Sequence, residues 1–188
     1  MGNRLAMSST NQPGSEIVRR RIVIIGSAGV GKSAIINRLV NKVYDEEYKP
    51  TVEDIYHLNF LHKKNFQIEI IDTSGSSDYM MNTYIKTADL IILVFSCDSA
   101  RSFEEILQKR ETEVDVLKSE DAKIVAVYSK IDLESNKEIT YAEADLRLVE
   151  HGTIPLIATS AKSNEGIRQL KHFIVRTCSK EQLCPPTR

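Results

Sequence analysis

The chain has 188 residues, 41% of them hydrophobic, which is enough for the core of one domain. Its formal net charge of −1 gives no sign of a nucleic-acid surface, and its lysines and glutamates interleave as they do on solvated helix faces. Cys97, Cys178 and Cys184 are odd in number and lack paired spacing, which points to a reducing compartment and away from a disulfide framework or a cysteine zinc site.

Residues 1–18 begin with a stretch rich in Ser, Asn, Gly and Pro and are expected to form a flexible arm, ahead of a domain over 19–178 and a tail over 179–188. Arg21 to Ile25 is a β-branched apolar run suited to a parallel strand buried on both faces. Gly26 to Ser33 then fits G-x-x-x-x-G-K-[ST] at every fixed position, between that strand and a helix expected from about Gly31 to Asn41. Glycines let such a loop curl so that successive N–H groups face one concavity at the positive end of the helix, where phosphate binds. Lys32 is placed to reach the terminal phosphates and the Ser33 hydroxyl to bind Mg²⁺. Ile35, Ile36, Leu39 and Val40 give the helix its apolar face.

Val43 to Asp54 is polar, interrupted by Pro50, and reads as a loop whose length suggests function. Tyr56, Leu58 and Phe60, then Phe66, Ile68 and Ile70, alternate with their neighbours and predict an antiparallel hairpin linked through His62 to Asn65. Its second strand ends at Asp72-Thr73-Ser74-Gly75, where a carboxylate at a strand's carboxyl end could hold Mg²⁺ or cap a helix. Leu90 to Ser96 is a buried strand, and Phe103, Ile106, Leu107, Arg110, Val114 and Leu117 mark a long amphipathic helix. Lys123 to Val127 is the next strand. Thr140 with Glu143 makes a capping box for a helix whose apolar positions are expected at Leu146, Leu148 and Val149 and whose end is Gly152. Pro155 to Ala158 is the last strand, and Ile167, Leu170, Phe173 and Ile174 define the final helix. Strands alternating with helices predict an α/β fold of the P-loop NTPase kind. Its six-stranded sheet would be mostly parallel, with one antiparallel strand and helices on both faces.

Three strand-end loops, Asp72 to Gly75, Ser129 to Asp132 and Thr159 to Lys162, stand in order behind the phosphate loop and, with Pro50-Thr51, resemble the Ras-like small GTPases over about Arg19 to Thr177. Tyr48 to Asp54 with Tyr56 resembles the effector loop of the Ras branch. The resemblance implies a small-GTPase fold and a switch that binds GTP or GDP with Mg²⁺. Nucleotide contacts would come from Ala28, Gly29, Val30, Gly31, Lys32, Ser33 and Ala34, from Tyr44, Tyr48, Pro50 and Thr51, and from Asp72 and Gly75. At the base end they would come from Ser129, Lys130, Asp132, Ser160, Ala161 and Lys162. In that family pattern Asp132 accepts both N–H groups of guanine, the Ala161 N–H meets the guanine oxygen, Lys130 lies along the base and Tyr44 stands across it. Ser33, Thr51 and Asp72 would hold the metal, and Lys32, Thr51, Gly75 and Ser76 would act in hydrolysis. The effector surface would be Tyr48, Val52, Glu53, Asp54, Ile55 and Tyr56, and the loops carrying Thr51 and Gly75 would relax when the third phosphate leaves.

The chain departs from that pattern where activity is decided. Ser76 stands where the family has the Gln that orients the attacking water, and Ala28 where Ras proteins have Gly. Slow hydrolysis is expected, the alternative being a GTP-loaded scaffold with negligible turnover, and Ser77 or Asp78 is the substitute for Gln to consider. Ser129 replaces Asn or Thr and Ser74 replaces Ala. An ATP-dependent phosphoryl transferase is disfavoured, since it needs an arginine-rich lid and Ser129 to Asp132 points to guanine. His57, His62, His151 and His172 show no ligand spacing. The resemblance implies effector proteins, an exchange factor and a GTPase-activating protein as partners, with no nucleic acid, for an expected monomer in the cytoplasm or at the inner face of a membrane. Gly2 is followed by Ala6 where myristoylation wants Ser or Thr, and Cys184 is fifth from the end where prenylation needs the fourth. Cys178 and Cys184, in a short polar stretch, are left as sites for a palmitoyl group.

Overall fold

A computed structural model describes residues 17–46, 53–61, 65–73, 79–133, 135–152 and 154–179. The strands are β1 (Ile17–Ile25), β2 (Glu53–Leu61), β3 (Asn65–Thr73), β4 (Leu90–Ser96), β5 (Lys123–Ser129) and β6 (Leu156–Ala158). The helices are α1 (Lys32–Val40), α2 (Tyr79–Thr87), α3 (Ala100–Lys109), α4 (Asp115–Leu117), α5 (Tyr141–Glu150) and α6 (Ile167–Cys178). The six strands form one sheet in the order β2-β3-β1-β4-β5-β6, antiparallel only between β2 and β3. This is the expected mixed sheet.

Two apolar layers cover it. On one face Ile35, Ile36 and Leu39 of α1 and Leu170 and Ile174 of α6 pack against Ile22, Ile24, Ile92 and Val127. On the other, Ile85 of α2, Phe103 and Ile106 of α3 and Leu148 of α5 pack against Val23, Ile91, Leu93 and Ala126. Strands buried on both faces must be apolar at every position, which is why Leu90 to Phe95 carries no alternation. Each parallel strand delivers its C-terminal end to one edge of the sheet, and the antiparallel β2 brings its N-terminal end there, with Asp54 directly opposite Asp72.

Several boundaries differ from the sequence reading. β1 starts at Ile17 rather than Arg21, because Ile17 to Arg21 continue the register with Asn65 to Glu69 of β3 although their side chains are not fully buried. β2 starts at Glu53 and β5 runs to Ser129, both extended by ladder partners. The amphipathic helix from Ala100 to Leu117 is interrupted by a π-helical turn at Arg110–Val114. In α5 the buried positions are Ala144 and Leu148, while Leu146 and Val149 are 62% and 48% exposed. The Ser-type cap at Thr140, whose hydroxyl accepts the Glu143 N–H at 3.2 Å, fixes the helix phase, and positions four apart then meet the sheet.

Cys178 requires a further correction. It is not in a polar tail: it ends α6 on the same stripe as Ile167, Leu170 and Ile174 and is only 1% exposed. Burial pushes its thiol up to about 12, with Asp89 adding to the shift and Arg20 opposing it. It is therefore withdrawn as a palmitoylation site. Among the described residues no helix is long and apolar enough to cross a membrane.

Candidate functional site

The phosphate loop occupies the turn between β1 and α1. A Cβ on Gly26 would lie 2.2 Å from the Val94 carbonyl oxygen, so only glycine lets the loop leave β1 beside β4. Gly29 and Gly31 have φ of +76° and +95°, the left-handed region where side chains are strained. Gly31 caps α1 without a side-chain hydrogen bond, which leaves the first-turn N–H groups for an anion. Lys32 is buried, and its Nζ donates to the carbonyls of Gly26 at 2.8 Å and Ser27 at 2.9 Å, folded back across the loop. Burial lowers its pKa, opposed by the charge of Asp72 and reinforced by Lys109. The Ser27 hydroxyl donates to Glu105 of α3 at 2.5 Å, tying the loop to a neighbouring helix.

Asp72 is fully buried at the end of β3, opposite Ile24 of β1, and neither carboxylate oxygen has a hydrogen bond of ordinary geometry among the described residues. Burial raises its pKa, with Asp54 adding to the rise, while Ser33 and Lys32 pull it down by favouring the charged form. A buried carboxylate left this way is costly unless a cation meets it. The next residue, Thr73, is fixed by donating to the Ile24 carbonyl at 2.8 Å.

The ends of β5 and β6 and the exit from α1 build a second wall. The Ser129 hydroxyl is buried, 2.6 Å from the Val30 carbonyl oxygen and 2.9 Å from that of Phe95, so it braces the phosphate loop from β5. Lys130, at φ +59°, points its ammonium to Asp98 at 3.0 Å. Asp132 is exposed and accepts from the Ser160 hydroxyl at 2.5 Å, and Ser160 in turn accepts the Ser163 N–H at 2.9 Å. The carboxylate is thereby oriented on an exposed edge. A Cβ on Gly166 would lie 1.8 Å from the Ala158 carbonyl oxygen, so the same loop depends on a glycine from the start of α6.

A family model described as Ras family matches residues 21–180. This chain belongs to the Ras family. Ras-like protein 1 of Saccharomyces cerevisiae (strain ATCC 204508 / S288c) is 33% identical over 165 residues, covering 86% of this chain and 53% of that protein. The chain thus spans about half the length of the curated relative it matches.

In this Ras-family chain the structure brings Gly29, Val30, Gly31, Lys32, Ser33, Asp72, Ser129, Lys130, Asp132, Ser160 and Ala161 to one edge of the sheet, with Tyr44 and Lys162 at its rim. Ala28 is exposed at the mouth of the phosphate loop and Ala34 lies in the first turn of α1. Of the expected effector residues, Glu53, Asp54, Ile55 and Tyr56 lie on the edge strand β2, where Asp54 and Ile55 are exposed and Tyr56 packs partly against the α1 face. Tyr48, Pro50, Thr51, Val52, Gly75 and Ser76, with Ser74, Ser77 and Asp78, lie outside the described residues. Sequence reasoning missed Arg38, Asp98, Glu105 and Gly166. The three charged residues carry no local signal that separates them from solvated helix or loop charges, whereas the glycine just before an apolar helical stripe was a readable clue.

Proposed function

We propose that this chain is a guanine-nucleotide-dependent switch that binds GTP or GDP with Mg²⁺ and hydrolyses GTP slowly. The observation that supports this most is the pairing, at one sheet edge, of a fully buried carboxylate, Asp72, beside Lys32 and Ser33 with the oriented, exposed carboxylate of Asp132. The first suits a cation next to phosphates. The second suits the two N–H groups of guanine, which adenine does not offer.

The loop N–H groups from Gly29 to Ser33 and the Lys32 ammonium hold the β- and γ-phosphates once Lys32 exchanges its two carbonyl partners for phosphate oxygens. Ser33 and Asp72, with Thr51, are the residues that would hold Mg²⁺, and the fully buried Asp72 carboxylate beside Ser33 fits that group. When bound, the ion neutralises charge developing on the phosphates. Thr51 and Gly75 sense the third phosphate, so Val52 and the start of the edge strand, Glu53 to Tyr56, are presented to effector proteins in the GTP form. An exchange factor and a GTPase-activating protein complete the cycle.

Hydrolysis is slow because Ser76 is too short to orient the attacking water, and the Ala28 methyl, exposed at the loop mouth, crowds any arginine supplied by a partner. Single-turnover hydrolysis of radiolabelled GTP with Mg²⁺ tests this against Ser76→Gln. The expected wild-type rate is below the roughly 10⁻⁴ s⁻¹ of unassisted Ras-type hydrolysis, rising in Ser76→Gln. A wild type with no measurable turnover that stays GTP-bound favours the scaffold reading, for which the same two substitutions speak. A wild-type rate at the ordinary Ras level refutes the roles given to Ser76 and Ala28, and transfers water positioning to Ser77 or Asp78.

A further inference from the structure

Arg38 sits half-buried on α1, outside every motif, yet all three of its guanidinium nitrogens are engaged. Its Nε donates to the Ala161 carbonyl at 2.7 Å, its Nη2 to the Lys162 carbonyl at 3.1 Å and its Nη1 to the Lys42 carbonyl at 3.2 Å. The Cζ atom lies 5.8 Å from the centroid of the Tyr44 ring, within cation–π range. Lys42 has φ +60°, so the chain leaves α1 through a left-handed turn that a non-glycine residue adopts only with support. A helix cap alone needs only the Lys42 carbonyl. The bonds to Ala161 and Lys162 instead reach across 123 and 124 residues to the loop that faces the base.

We propose that Arg38 is a positioning residue that clasps the two walls of the base pocket, the Tyr44 turn and the 160–163 loop, and so slows release of bound guanine nucleotide; this rests on the guanine-nucleotide reading above. Fixing the Ala161 carbonyl orients the peptide next to the N–H assigned to the guanine oxygen. Holding the Lys42 turn beneath Tyr44 keeps the ring across the base. The Lys162 ammonium also meets Glu46 at 3.3 Å across the same gap, but both ends are mostly exposed and such a pair adds little. The planar fork is what makes one side chain serve three carbonyls, which a lysine cannot reproduce.

The test is release of fluorescent mant-GDP into excess GDP from the full chain, wild type, Arg38→Ala and Arg38→Lys, in Mg²⁺ and in EDTA. Arg38→Ala is expected to release roughly tenfold faster, the loss of about one net charge-assisted hydrogen bond, and Arg38→Lys to fall between. The factor is expected to be the same in Mg²⁺ and in EDTA, because Ser33 and Asp72 lie at the phosphate end and independent changes multiply. An Arg38→Ala rate within about twofold of wild type overturns the clasp. So does a rise that vanishes in EDTA, which would place the effect of Arg38 at the metal and phosphate end rather than at the base. If Arg38→Ala does not fold, Arg38→Lys decides: release faster than wild type by the same factor in Mg²⁺ and in EDTA is expected, and release no faster than wild type overturns the clasp. A wild type that fails to retain mant-GDP at all sinks the guanine-nucleotide reading itself, whereas retention by wild type with no effect of Arg38 sinks only the clasp.

Discussion

Removing the Ser129 hydroxyl isolates the brace between β5 and the phosphate loop. One proton serves two carbonyls, Val30 at 2.6 Å and Phe95 at 2.9 Å, in a site 2% exposed. Ser129→Ala therefore deletes one hydrogen bond and leaves at least one buried carbonyl short of a partner, at a cost of about 1–2 kcal/mol. For a domain of this size that is a fall of roughly 3–6 °C in Tm, measured by circular dichroism at fixed GDP and Mg²⁺, since bound ligand itself raises the midpoint. Mant-GDP release should also quicken about fivefold to tenfold, because Val30 N–H and O belong to the loop that holds the phosphates. Ser129→Thr keeps the hydroxyl and should recover most of the release rate. A Ser129→Ala protein with unchanged Tm and unchanged release would show that the loop is held without β5, and the assignment of Ser129 as its brace would be wrong.

Gly166→Ala should lose more than about 3 kcal/mol and melt at least about 10 °C lower, because its Cβ would lie 1.8 Å from the Ala158 carbonyl oxygen at a φ of +69°; a near-native melt would refute that geometry. Asp72→Asn should raise the Tm of the metal-free protein in EDTA by a few degrees, since burial raises the Asp72 pKa and its ionised form costs stability as pH climbs through that raised value; Mg²⁺ should no longer slow nucleotide release from it. Cys97 and Cys178 are both buried, and neither should react with Ellman's reagent at pH 8 until the protein is unfolded. The Cys178 thiol, pushed up from an ordinary 9.0 to about 12, contributes stability that is present below about pH 9 and lost as pH rises toward 12, so Tm should fall in that window and fall less steeply in Cys178→Ala.

The order of strands and helices, the phosphate loop and the strand-end motifs are legible in the residues alone, because each rests on positions close to one another in the chain. Glycine spacing dictates the loop, period-two alternation the hairpin, and the Thr140 cap the start of α5. The same locality explains the misplacements. Nothing near Leu146 and Val149 says that they face solvent while Ala144 faces the sheet, and nothing near Cys178 says that α6 carries it into the core. Which distant groups meet emerges from the folded chain: Ser129 with Val30 across 99 residues, Ser160 with Asp132 across 28, and Arg38 with Ala161 across 123. Such pairings are set by sheet order and by the shared edge where the strands end, and a serine or arginine read in isolation carries no information about the partner that the fold will bring to it.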